Sequence, residues 1–100
     1  MSFWGFQIIG VAKNGQEAVD KFKLFSEKPD IIIMDHRMPI KSGIDATKEI
    51  ISLGKNPKII FASADKTVRE EALSIGAADF IEKPFDFEEL VKKIKEVLNF

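Results

Sequence analysis

The sequence predicts an α/β protein in which a parallel sheet is covered by helices. Ile31 to Met34 is apolar at every position, the habit of a strand buried on both faces. A second such strand, Lys58 to Ser63, follows a helix-length interval closed by Gly54 and Pro57. Strand-like and helix-like segments alternate along the chain as βαβαβαβα, and that order implies parallel strands joined by helical crossovers.

Taken in order, Phe6 to Ala12 reads as a first strand, rich in β-branched residues. Asn14 and Glu17 form a capping-box start for a helix whose buried stripe is Ala18, Phe22 and Phe25. Pro29 closes that region and leads into the Ile31–Asp35 strand. Ser42-Gly43-Ile44 opens the next helix, with Ile44, Thr47 and Ile51 on one face and Ile50 beside them. Gly54 suits a left-handed cap, and Pro57 forbids continuation. After Lys58–Ser63, Asp65 or Lys66 starts a helix carrying Val68, Ala72 and Ile75, which Gly76 ends. Asp79 to Lys83 is a short strand. Asp86 caps the last helix, with Glu89 completing its box and Leu90, Val91, Ile94, Val97 and Leu98 as its apolar stripe. Acids in its first turn and lysines further along match the helix dipole.

At 100 residues the chain is read as one domain, 1–100, with a feasible but modest core. It is 45% hydrophobic and 31% charged, with a net charge of −1, so no bulk attraction to nucleic acid or an anionic membrane is expected. It has no cysteine, which excludes thiolate metal sites and thiol nucleophiles and fits a reducing, cytoplasmic setting. Its apolar runs are too short to span a bilayer, and Met1 to Phe6 has no basic segment of a secretory signal.

The candidate chemistry lies at strand ends. Three successive strands end on Asp35, Ser63 and Lys83. Parallel strands finish at one edge of the sheet, where ligands of open α/β sheets bind. A carboxylate, a hydroxyl and an ammonium there suit a nucleophile or acceptor, a neutral donor and an anion-binding charge. His36, the sole histidine, has no partner acid or nucleophile in sequence and reads as a loop residue. No second acid-base pair is visible, so an independent enzyme is not expected.

The segments Asp30-Ile31-Ile32-Ile33-Met34-Asp35, Met38-Pro39, Ser42-Gly43, Ser63-Ala64, Gly76-Ala77-Ala78-Asp79-Phe80 and Lys83-Pro84-Phe85 together resemble the receiver domains of two-component response regulators. The resemblance runs from about Phe6 to Leu98 and implies a flavodoxin-like fold and a part in phosphorelay signalling. By it, Asp35 is the phosphoacceptor, Ser63 the switch hydroxyl, Lys83 the ammonium that neutralises the phosphoryl oxygens, and Phe80 the switch aromatic. Pro84 falls where the family has a cis peptide bond, and Arg37 where a backbone carbonyl completes the magnesium shell with Asp35. A sensor histidine kinase or phosphotransfer protein would supply the phosphoryl group, and a downstream protein would read it.

The resemblance also exposes a departure. The family begins with a further strand ending in two acidic residues, then a helix, a unit on the order of 20–25 residues. Met1 to Gly5 supplies only the tail of that helix, so the chain reads as an N-terminally truncated receiver. The acidic pair that holds Mg2+ in the family is missing, and Asp35 with one carbonyl is a poor octahedral site. Weak or absent Mg2+ binding is therefore expected, although the Arg37 guanidinium could stand near the metal position. In the 2-1-3-4-5 strand order the missing strand separates the first two strands present here. The gap could close by direct pairing of Phe6–Ala12 with Ile31–Asp35. A second chain could also fill it, with Phe3, Trp4 and Phe6 as a packing patch. A homodimer is expected on that ground. A receiver that works by protein contact without phosphorylation is the alternative reading.

Overall fold

Each long helix begins where a side-chain oxygen replaces a missing backbone partner. The computed structural model describes the backbone of residues 2–3, 5–37 and 39–99, with side chains in the latter two stretches. Asn14 Oδ1 accepts from Glu17 N at 2.8 Å and starts α1, Gly15–Leu24. Ser42 Oγ accepts from Asp45 N at 3.2 Å and starts α2, Gly43–Ser52. Asp86 Oδ1 accepts from Glu89 N at 2.8 Å and starts α4, Phe87–Leu98. The remaining helix is short: a 3₁₀ turn at Lys66–Val68 runs into α3, Arg69–Ser74. Gly54 (φ 74°) and Gly76 (φ 115°) take the left-handed conformation that lets the chain leave α2 and α3.

Between these helices lie β3 (Ile31–Asp35), β4 (Lys58–Ser63) and β5 (Asp79–Glu82), in the parallel order β3-β4-β5. β4 is central and explains its own composition. Ile59 and Phe61 face one side, where Val19, Phe22, Ile44 and Ile50 pack from α1 and α2. Ile60 and Ala62 face the other, against Ile94 of α4 and Ile81 of β5. Burial of each large apolar side chain stabilises by about 1.5–3 kcal/mol, so this two-sided strand anchors the core. The α4 stripe is as expected, with Val91 and Ile94 buried, but the α1 stripe shifts: Val19 and Phe22 are buried, Ala18 is only partly buried, and Phe25 lies beyond the end of the helix in extended backbone.

The N-terminal expectation is corrected. The segment 6–12 does not form a fourth sheet strand: only Phe6–Gln7 is a strand, β2, paired antiparallel with β1, Ser2–Phe3. Nor does it pair with β3, which is an edge strand among the described residues. Side chains hold the following residues instead. Lys21 Nζ donates to Val11 O, and Gly10 sits so close to the Phe25 ring that a Cβ there would meet it at 2.8 Å. A strand-forming composition makes a strand only when a partner edge is within reach. Phe6 packs against the Ile60–Ile94 cluster, whereas the expected contacts of the Phe3 and Trp4 side chains lie outside the described residues.

Candidate functional site

β3, β4 and β5 deliver Asp35, Ser63 and Lys83 to one edge of the sheet, as their shared direction requires. Asp35 is the last residue of β3, and Lys83 follows β5. Although 48 residues apart, they meet: Lys83 Nζ donates to Asp35 Oδ2 at 2.8 Å. Both side chains remain about two-fifths exposed, at 44% for Asp35 and 41% for Lys83, so a ligand can reach the pair.

Ser63 ends β4 and is buried, with its hydroxyl accepting from Asp65 N at 3.0 Å. Its carbonyl accepts from Lys83 N at 3.0 Å, which ties the β4 end to the lysine. The Lys83–Pro84 peptide bond is cis, as the resemblance implied. Phe80 lies inside the core at 7% exposure, grouped with Phe61, Val68 and Ala72.

Two glycines let the loops close around this edge. A Cβ at Gly43 would collide with the carbonyl oxygen of Asp35, and one at Gly15 with that of Lys41. The close approach at Gly43 is fastened by its N–H donating to His36 O at 3.0 Å. His36 is more than a loop residue. Its ring tilts against Phe61 with centroids 5.8 Å apart, and its Nδ1 is enclosed without a partner among the described residues.

Arg37 does not place its guanidinium on Asp35. It is 82% exposed, and Nη2 stands 3.9 Å from Asp65 Oδ2. Asp65 is the residue that sequence reasoning took only for a helix start. Its carboxylate accepts from Thr67 Oγ1 (2.6 Å) and Thr67 N (2.9 Å), and these bonds, with Arg37 nearby, hold it below the usual aspartate range. Asp65 was recognisable as a cap, but its pairing with Arg37 depends on two loops meeting and left no local signal.

The donor set does not fit Mg2+. A magnesium site needs several oxygens in octahedral array. Among the described residues no three acidic, histidine or cysteine side chains gather, and the Asp35 carboxylate is already bonded to an ammonium.

Comparison with known proteins follows the same outline. The family model of the response regulator receiver domain matches residues 3–95. Chemotaxis protein CheY of Thermotoga maritima is 45% identical, over 93% of this chain and 78% of that protein. Among solved structures, a chain of the CheX-CheY-BeF3-Mg2+ complex from Borrelia burgdorferi superposes with a TM-score of 0.88 and 34% identity. That match covers 94% of this chain and 72% of the other. The response regulator domain of Thermotoga maritima CheB gives a TM-score of 0.78 and 38% identity, over 94% of this chain and 78% of that one.

Proposed function

Because the chain belongs to the response regulator receiver domain family, we propose that Asp35 is its phosphoacceptor in a two-component phosphorelay. The Asp35–Lys83 contact at 2.8 Å carries this reading, since it joins a nucleophilic oxygen to a fixed positive charge at an accessible sheet edge. Receiver domains take the phosphoryl group from histidine kinases or phosphotransfer proteins. An Asp35 oxygen attacks phosphorus as the phosphorus–nitrogen bond of a phosphohistidine breaks, and the leaving imidazole keeps that electron pair and takes up a proton. Lys83 turns from the carboxylate to the phosphoryl oxygens and offsets their charge. The Ser63 hydroxyl leaves Asp65 N–H to donate to the same oxygens, and Phe80 is the aromatic that follows it. Output passes to a downstream protein in the cytoplasm, with no catalytic step by this chain beyond the transfer.

Mg2+ is the family's ion; Asp35 and the Arg37 carbonyl stand at the positions of two of its ligands by resemblance, and two such oxygens would support at most weak binding. Acetyl phosphate should therefore label Asp35 slowly and below stoichiometry, by intact mass, and Asp35→Asn should lose the label. Rapid full labelling that Asp35→Asn abolishes would show that the transfer does not need a stronger metal site than these residues supply. No labelling by acetyl phosphate or a phosphohistidine donor would favour the second reading, a receiver that acts by protein contact or self-association alone. The poor metal site is the observation behind that reading.

A further inference from the structure

Asn14 and Gly15 form the one Asn-Gly pair in the chain, and capping α1 does not exhaust the chemistry of that pair. Asparagine is a chemically labile residue, most of all before glycine, where no side chain hinders the following nitrogen. That nitrogen gives up its proton and attacks Cγ of the asparagine. Ammonia leaves, and water opens the resulting succinimide to an aspartyl or an isoaspartyl residue. The other two asparagines are poor candidates: Asn56 precedes Pro57, which has no N–H to lose, and Asn99 precedes the bulky Phe100. The fold blocks each step at Asn14. Gly15 is buried and its N–H donates to Lys41 O at 3.0 Å, which shields the proton from base. Asn14 Oδ1 accepts from Glu17 N at 2.8 Å, so the side chain is held toward the helix. Ring closure needs Asn14 Cβ nearly eclipsed with the Gly15 nitrogen, and its ψ of 172° keeps the two staggered.

We propose that Asn14 is a deamidation site gated by the junction between α1 and the loop that joins β3 to α2. It reacts only when the Gly15 N–H leaves Lys41 O, and its isoaspartyl product keeps the junction from closing again. The aspartyl product still offers a cap oxygen and recloses. The isoaspartyl product carries the main chain through the former side-chain carbon, which lengthens it by one atom just before Gly15. The junction has no slack to absorb that atom, since even a Cβ on Gly15 would collide with the Lys41 carbonyl. The loop that follows Asp35 thereby loses its bond to α1. The inference is independent of phosphorylation.

The test holds the full chain in mildly alkaline buffer, with and without denaturing urea, and follows the tryptic peptide 14–21 by chromatography and mass. In urea Asn14 should convert steadily, mainly to the isoaspartyl form. In the folded chain conversion should be slower by roughly tenfold or more, since a cap and a backbone bond must first be given up. Ser42→Ala removes the α2 cap beside Lys41. It should speed Asn14 conversion and hydrogen exchange of the Gly15 amide by a similar factor. Asp86→Ala, which removes the cap of α4 instead, should change neither. Once separated, the isoaspartyl form should exchange its Gly15 amide freely, and the aspartyl form should keep that amide protected. Conversion as fast in the folded chain as in urea would overturn the proposal, as would no conversion in urea. Equal acceleration by Asp86→Ala would assign the reaction to global unfolding and remove the gate. A protected Gly15 amide in the isoaspartyl form would show that the junction recloses, against the proposal.

Discussion

Ile40 adopts φ 70°, a conformation that a β-branched side chain takes only under constraint. Lys41 N donates to Pro39 O at 2.7 Å, which makes Ile40 the centre of a three-residue turn. Its side chain is 83% exposed, so no burial offsets a strain of about 1–3 kcal/mol. The turn is held by its flanks, through Gly15 N to Lys41 O and Gly43 N to His36 O, both at 3.0 Å. Ile40→Gly relieves the strain but adds unfolded-state freedom worth about 0.5–1 kcal/mol. The net expectation is stabilisation by about 1 kcal/mol in urea unfolding, and a loss of stability would show that the Ile40 side chain is held by packing. At this scale Asp35 and Ser63 were legible because each ends an apolar run, and Lys83 because it stands in the Lys83-Pro84-Phe85 motif. The strained turn was not, since nothing in Pro39-Ile40-Lys41 announces a positive φ.

Helices were the most legible elements, because a cap is a local event. Asn14, Ser42 and Asp86 each bond the backbone N–H three residues on. Asp86 is exposed and its carboxylate serves the first turn of α4, whose acidic residues Glu88 and Glu89 complement the dipole. Asp86→Ala should cost about 1 kcal/mol, read as a lower urea midpoint with an unchanged slope. Asp86→Asn should recover most of that loss, since either side chain offers the cap an oxygen. The segment 6–12 failed as an element for the opposite reason. Its composition favours a strand, but a strand is completed only by another edge, and its hairpin partner is the two-residue β1.

For the whole molecule, the metal question is one of linkage. A ligand stabilises the fold only as far as its concentration exceeds its dissociation constant. With no acidic cluster among the described residues, millimolar Mg2+ should leave the thermal midpoint unchanged. In a domain of this size about 1 kcal/mol of binding would move it by about 4–8 °C, so a shift of that size would reveal a competent site.

The sequence by itself determined the α/β class, the three parallel strands, the capped starts of the long helices and the family. These follow from apolar periodicity, capping residues and short motifs, all written within a few neighbouring positions. Only the tertiary structure decided that Arg37 turns to Asp65 and that residues 8–12 stay out of the parallel sheet. Those outcomes depend on which distant segments arrive beside one another, and no local pattern encodes that arrival.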